Sequence, residues 1–165
     1  MGFVCSVCGA FHAERMLDIR FGLPDSIHNL NDGDRERRAW IADDFAVLDD
    51  SRFYVRGLLE IPIPELEARF GYGVWLEVEQ ADFAEVLEHW QDPEQSAFAP
   101  TPGLLANEVA PYVATNGLPA RLQPISADLL PTVELMDSTH PLALDQRRGI
   151  SAPESDRLAA TVLHQ

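Results

Sequence analysis

The chain contains no lysine: its twelve basic residues are all arginine, set against 27 acids for a formal charge of −15 over 165 residues. A Walker phosphate-binding loop requires a lysine, so that nucleotide chemistry is excluded. The shortage of positive charge also speaks against nucleic acid and anionic membranes, because their phosphates are held by Lys and Arg displacing counterions. No apolar run approaches the roughly 18 residues of a membrane-spanning helix. The first residues lack a basic stretch followed by an apolar one, so no secretory signal is expected and the predicted location is cytoplasmic. Other catalytic signatures are missing too. Gly71-Tyr72-Gly73 lacks the third glycine of a dinucleotide fingerprint, and neither a nucleophile elbow nor a His-Glu-x-x-His helix occurs.

Cysteine is scarce as well, but its two copies stand together in Cys5-Ser6-Val7-Cys8, followed by Gly9 and His12. In a reducing compartment such a pair is more often metal-binding or redox-active than a structural disulfide. The redox reading lacks the strand-then-helix setting. A structural zinc takes four ligands at about 2.0 to 2.3 Å. Cys5 and Cys8 supply two and His12 a third, so the set must be completed from elsewhere, with His140 the further candidate; ordinary packed thiols are the alternative. Glu60, Glu77 and Glu79 form a second candidate group if neighbouring strands bring them together, although solvated carboxylates on a sheet face are commoner.

The negative charge is concentrated. Residues 41–120 hold fifteen acids and three arginines, and so carry −12 of the −15. A cationic partner is the class such a surface attracts, and solubility alone is its plainer use.

With 46% hydrophobic residues the composition is that of an ordinary globular domain, and 165 residues suit one core. Alternation predicts strands over 53–61 and 73–79, paired antiparallel, with a broad connection through Pro62-Ile63-Pro64 and Gly71. Phe83, Val86, Leu87 and Trp90 recur at helical spacing and predict a helix over 82–91 with those four residues inward and Glu85, Glu88 and His89 outward. A short helix over 35–41 is expected behind Asp32 or Asp34. Residues 91–120 read as a long loop with a turn of helix at Leu104-Leu105, followed by strands near 118–125 and 131–136. His140-Pro141 opens a helix that Gly149 closes. Ser151 and Glu154 form the capping box of a last helix that buries Leu158 and Val162.

Several of these segments recur in a fixed order. Phe3-Val4-Cys5-x-x-Cys8-Gly9-x-x-His12, Asp44 to Val47, Phe53-Tyr54-Val55-Arg56-Gly57-x-Leu59-Glu60-Ile61-Pro62, Gly73-Val74-Trp75 and His140-Pro141-Leu142-Ala143-x-x-Gln146-x-x-Gly149-Ile150 together resemble the bacterial domain-of-unknown-function family 2199. The resemblance spans nearly the whole chain and implies no activity. The chain differs from the family pattern at Tyr72, Glu77, Glu79 and Ala46, where relatives carry tryptophan, small hydroxyl residues and often cysteine.

The expected architecture is a single α+β domain over 1–165: an antiparallel β-sheet packed against helices, with a Cys-x-x-Cys knuckle over 3–12 at its edge. The expected function is a noncatalytic binding or interaction domain with a structural zinc. The alternatives are a hydrolase using His12, His140 and the sheet carboxylates, and an immunity-type protein that binds a basic toxin.

Overall fold

The computed structural model describes residues 2–4 and 8–163. In chain order it contains β1 (Phe3–Val4), β2 (Phe11–His12), β3 (Asp18–Arg20), α1 (Asp25–His28), α2 (Asp32–Arg38), β4 (Ala39–Ile41), β5 (Phe45–Leu48), β6 (Arg52–Ile63) and β7 (Ala68–Val78). There follow α3 (Gln80–His89), β8 (Thr101–Leu105), β9 (Pro119–Gln123), β10 (Thr132–Leu135), α4 (Pro141–Arg148) and α5 (Ala152–Leu163). The architecture is α+β, as the residue periodicities imply.

The long β6–β7 hairpin dominates. Phe53, Val55, Leu59, Ile61 and Ile63 alternate inward along β6, and Phe70, Tyr72, Val74, Leu76 and Val78 do so along β7, all within one buried cluster. The strands pair antiparallel with Val55 opposite Leu76 and Ile61 opposite Phe70. The expected broad connection is instead tight. Pro62 and Ile63 continue β6, Gly71 lies inside β7, and a single 3₁₀ turn over Pro64–Leu66 with Glu67 at φ 48° reverses the chain. Proline tolerates extended backbone, so Pro62 does not end the strand.

The expected antiparallel sheet closes into a five-stranded barrel. β7 pairs with β8, β8 with β9 and β9 with β10, each antiparallel, and β10 returns to β6. Five strands walked alternately up and down leave the last pointing the same way as the first, so the closing pair must be parallel. That pair meets at Thr132 opposite Leu58, where Leu58 N–H donates to Pro131 O at 2.8 Å. Beyond it a side chain takes over: Gln146 of α4 accepts from Leu135 N–H at 2.9 Å and donates to Val133 O at 2.7 Å. The expected helical turn at Leu104-Leu105 lies within β8. Pro102 and Gly103 hide its strand period, yet glycine is what lets β8 approach β7, since a Cβ at 103 would fall 2.8 Å from Glu77 O.

β3 adds to β7 in parallel, and β5 and β4 add to β6, extending the sheet past the barrel. Its outer face carries a second buried cluster around Ile27, Ala46, Leu48, Tyr54 and Trp75. The expected helix over 35–41 is displaced: it runs over 32–38, capped by Asn31, whose side chain accepts from Asp34 N–H at 2.8 Å, while Ala39–Ile41 pair with β5. The helix starts at 140 and 151 hold. His140 Nδ1 accepts from Leu142 N–H at 3.1 Å, and Ser151 and Glu154 exchange reciprocal bonds of 2.8 and 3.2 Å. Leu158 is buried as expected, but Val162 is 46% exposed.

Candidate functional site

α3 follows directly from β7 and lies against β6. Phe83 enters the core edge-on to Phe45 at 5.6 Å, and Trp90 just beyond the helix stands edge-on to the same ring at 4.7 Å. The inward stripe is therefore Phe83, buried, with Val86 and Trp90, partly buried, rather than the four expected residues, for Leu87 is 46% exposed. This rotation turns Asp82, Glu85 and His89 toward the segment around Phe98. Between them opens a cleft of about 190 Å³, floored by Val86 and by Leu122 of β9. The segment is held in place: Gln95 Nε2 donates to Trp90 O at 2.9 Å and to Asp92 O at 3.1 Å, and the His89 and Phe98 rings lie 4.3 Å apart. Two carboxylates and three aromatic rings line the cleft, and none of its lining residues is an arginine. Sequence reading placed Glu85 and His89 outward but could not see the facing wall, which comes from residues 98–101 and from the barrel.

Cys5 lies outside the described residues. Cys8 is exposed, and its Sγ stands 3.4 Å from His12 Nε2 in the β1–β2 hairpin, where Phe3 pairs with His12. Ligands at about 2.3 and 2.0 Å on a tetrahedral zinc sit about 3.5 Å apart, so Cys8 and His12 fit the separation of two zinc ligands. The hairpin is tied to the body through Phe3, which lies under the Arg15 guanidinium at 4.2 Å, and through Arg15 paired with Asp156 of α5 at 3.6 Å. His140 is not brought to this pair. Its Nδ1 caps α4 and its Nε2 lies 2.8 Å from Val113 O, so both ring nitrogens are engaged. Among the described residues no three of His, Cys, Asp and Glu are gathered into a metal-binding group.

Of the three sheet carboxylates, Glu79 lies just past the end of β7, two residues beyond Glu77, whereas Glu60 is kept apart from both. Glu77 sits opposite Tyr54 and Glu60 opposite Gly71, six residues along, or about 20 Å at strand spacing. Glu77 grips Arg52 with two bonds of 2.7 and 2.9 Å, which hold the guanidinium pKa above its ordinary value. Trp75 is fully buried, its Nε1 donating to Phe21 O at 2.9 Å. Arg56, only 2% exposed, lies 4.8 Å from that ring, and desolvation chiefly lowers its pKa.

A sequence profile for the family described as "Uncharacterized protein conserved in bacteria (DUF2199)" matches residues 4–150. The chain belongs to this family. No curated protein and no solved structure matches it. The DUF2199-like motifs of this chain now have physical roles. Arg56 and Trp75 build the outer core, His140 caps α4, and Gln146 satisfies the backbone of β10 beyond the barrel seam. Gly149, at φ 84°, brings α4 against β6: a Cβ there would fall 2.9 Å from Pro62 O, which Ile150 N–H also engages at 2.8 Å.

Proposed function

We propose that this DUF2199 protein is a noncatalytic, cytoplasmic interaction domain that docks a basic protein through the α3 cleft, which takes one lysine or arginine side chain. The lining of that cleft carries the reading. The stem of such a side chain lies against Val86 and Trp90, and its charged head reaches Asp82 and Glu85, with the aromatic faces adding cation–π attraction. Size supports a side chain over a cofactor. At about 190 Å³ the cleft is smaller than the roughly 300–1,000 Å³ of small-molecule sites, yet larger than the roughly 150 Å³ cavity that admits benzene. The hydrolase alternative loses support because its residues are dispersed: His140 serves as a helix cap and Glu60 stands about 20 Å from Glu77. An immunity-type role is one form of the same docking.

Titration with a lysine- and arginine-rich peptide tests this. Affinity should fall as salt rises, since exposed charges are screened within about 8 to 10 Å. It should also fall about tenfold in an Asp82→Asn/Glu85→Gln variant. Equal affinity for an acidic peptide would overturn the reading.

A second reading concerns the hairpin, and the 3.4 Å separation of Cys8 and His12 favours it. Cys5, Cys8 and His12 would hold a structural zinc, whose contribution is to fix the loop between β1 and β2. Elemental analysis of protein purified without a metal-affinity tag should find zinc that a Cys5→Ser/Cys8→Ser variant lacks. Metal content that is low and unchanged in the variant would contradict it.

A further inference from the structure

A second cleft, of about 460 Å³, opens where α4, α5 and the segment around Tyr112 meet. Its volume falls in the range of small-molecule sites, about 300–1,000 Å³. Ile150 and Leu158, both buried, give it an apolar side, and Tyr112, Asp145, Glu154 and Arg157 give it a polar one. The Tyr112 hydroxyl donates to Asp145 Oδ2 at 2.6 Å. Burial, and then that bond, push the phenol pKa far above its ordinary value, so Tyr112 stays protonated and its oxygen keeps lone pairs to offer. Tyr72 adds to this pole: its hydroxyl is buried, feels the charge of Asp145 and has no hydrogen-bond partner among the described residues.

The charges do not balance. Arg157 is paired with Glu154 at 3.9 Å, while Asp145 forms no ion pair among the described residues. A ligand that complements this cleft carries one positive charge capable of donating several hydrogen bonds, and a hydrocarbon body. We infer that the cleft between α4 and α5 binds a small primary amine with an apolar body, the ammonium donating to Asp145 and to the Tyr112 oxygen, and the hydrocarbon lying on Ile150 and Leu158. A zwitterionic amino acid is disfavoured because Arg157, the one guanidinium among the described residues that line the cleft, already faces Glu154. The inference is independent of the α3 cleft.

Phenethylamine is the probe, with 3-phenylpropionate and phenylalanine as controls, read by methyl NMR of Ile150 and Leu158 in the full chain. Phenethylamine should shift both residues, and Asp145→Asn should weaken it about tenfold or more. Glu85→Gln, in the other cleft, should leave its affinity unchanged. Asparagine still accepts the Tyr112 hydrogen bond, so the fold should survive; should melting show otherwise, Tyr112→Phe replaces it, with a several-fold loss expected. Binding of 3-phenylpropionate or phenylalanine as tight as that of the amine, an affinity indifferent to these substitutions, or shifts confined to the α3 cleft would overturn the inference.

Discussion

Gly57 of β6 lies so close to Val133 of β10, its neighbour across the barrel seam, that a Cβ at 57 would lie 2.6 Å from Val133 Cγ2. Leu122 Cδ1, from the cross-strand partner of Val133 in β9, would be 2.7 Å away. The small barrel is filled by side chains, and glycine at this inward position is what lets Val133 and Leu122 pack against the β6 backbone. Gly57→Ala should therefore destabilise by about 1–3 kcal/mol through overpacking, measured by urea denaturation. A neutral or stabilising effect would mean that Val133 and Leu122 can repack freely.

Gln146 tests the seam. Gln146→Ala leaves Leu135 N–H and Val133 O without their partners and should cost about 2 kcal/mol. Amide hydrogen exchange at Leu135 should quicken in the variant. Unchanged exchange there would show that the glutamine is not what protects this edge of β10.

Trp90 has two roles, one wall of the α3 cleft and one contact with Phe45. It is half-buried rather than fully enclosed, so Trp90→Ala should cost about 2 kcal/mol, less than the roughly 3–5 expected for a fully buried indole. Trp90→Phe should recover most of that stability. A loss below about 0.5 kcal/mol would place the indole outside the core.

Acid should weaken the fold in a predictable direction. The backbone N–H of Thr139, foremost, and its hydroxyl hold the Asp137 pKa below the ordinary carboxylate value, and the Arg38 guanidinium does the same for Asp49. A depressed folded-state pKa stabilises above the unfolded value, near 3.9, and that contribution is lost as pH falls through the folded value. Stability should thus decline below about pH 4, and Asp137→Asn should make the decline shallower. An identical slope in the variant would contradict the assignment.

The hairpin of β6 and β7 could be read from the chain because apolar residues face a filled interior and polar ones the outside, which leaves a period of two in the sequence. Barrel closure could not be read. β8 carries Pro102 and Gly103 within five residues, and the parallel seam joins Leu58 to Thr132, a contact no local pattern records. Ala39–Ile41 looked helical after an arginine-rich turn and became a strand because β5 offers it partners. The α3 cleft was half visible: its acids lie on one helix, but Phe98 and Leu122 arrive from elsewhere, and the exposure of Leu87 fixes the rotation that turns Asp82 and Glu85 toward them. The hairpin pair Cys8 and His12 was visible from spacing alone, whereas His140, read first as a helix opener and also as a further ligand candidate, is engaged by Leu142 N–H and Val113 O.

The central claim, that the α3 cleft receives a cationic side chain from a basic partner, is tested most directly by mapping amide NMR shifts as a lysine-rich peptide is added to labelled protein. The account predicts that the largest shifts fall on residues 82–90 and 98–101 and shrink together in Asp82→Asn/Glu85→Gln. Shifts spread evenly over the acidic surface, or centred away from α3, would contradict it.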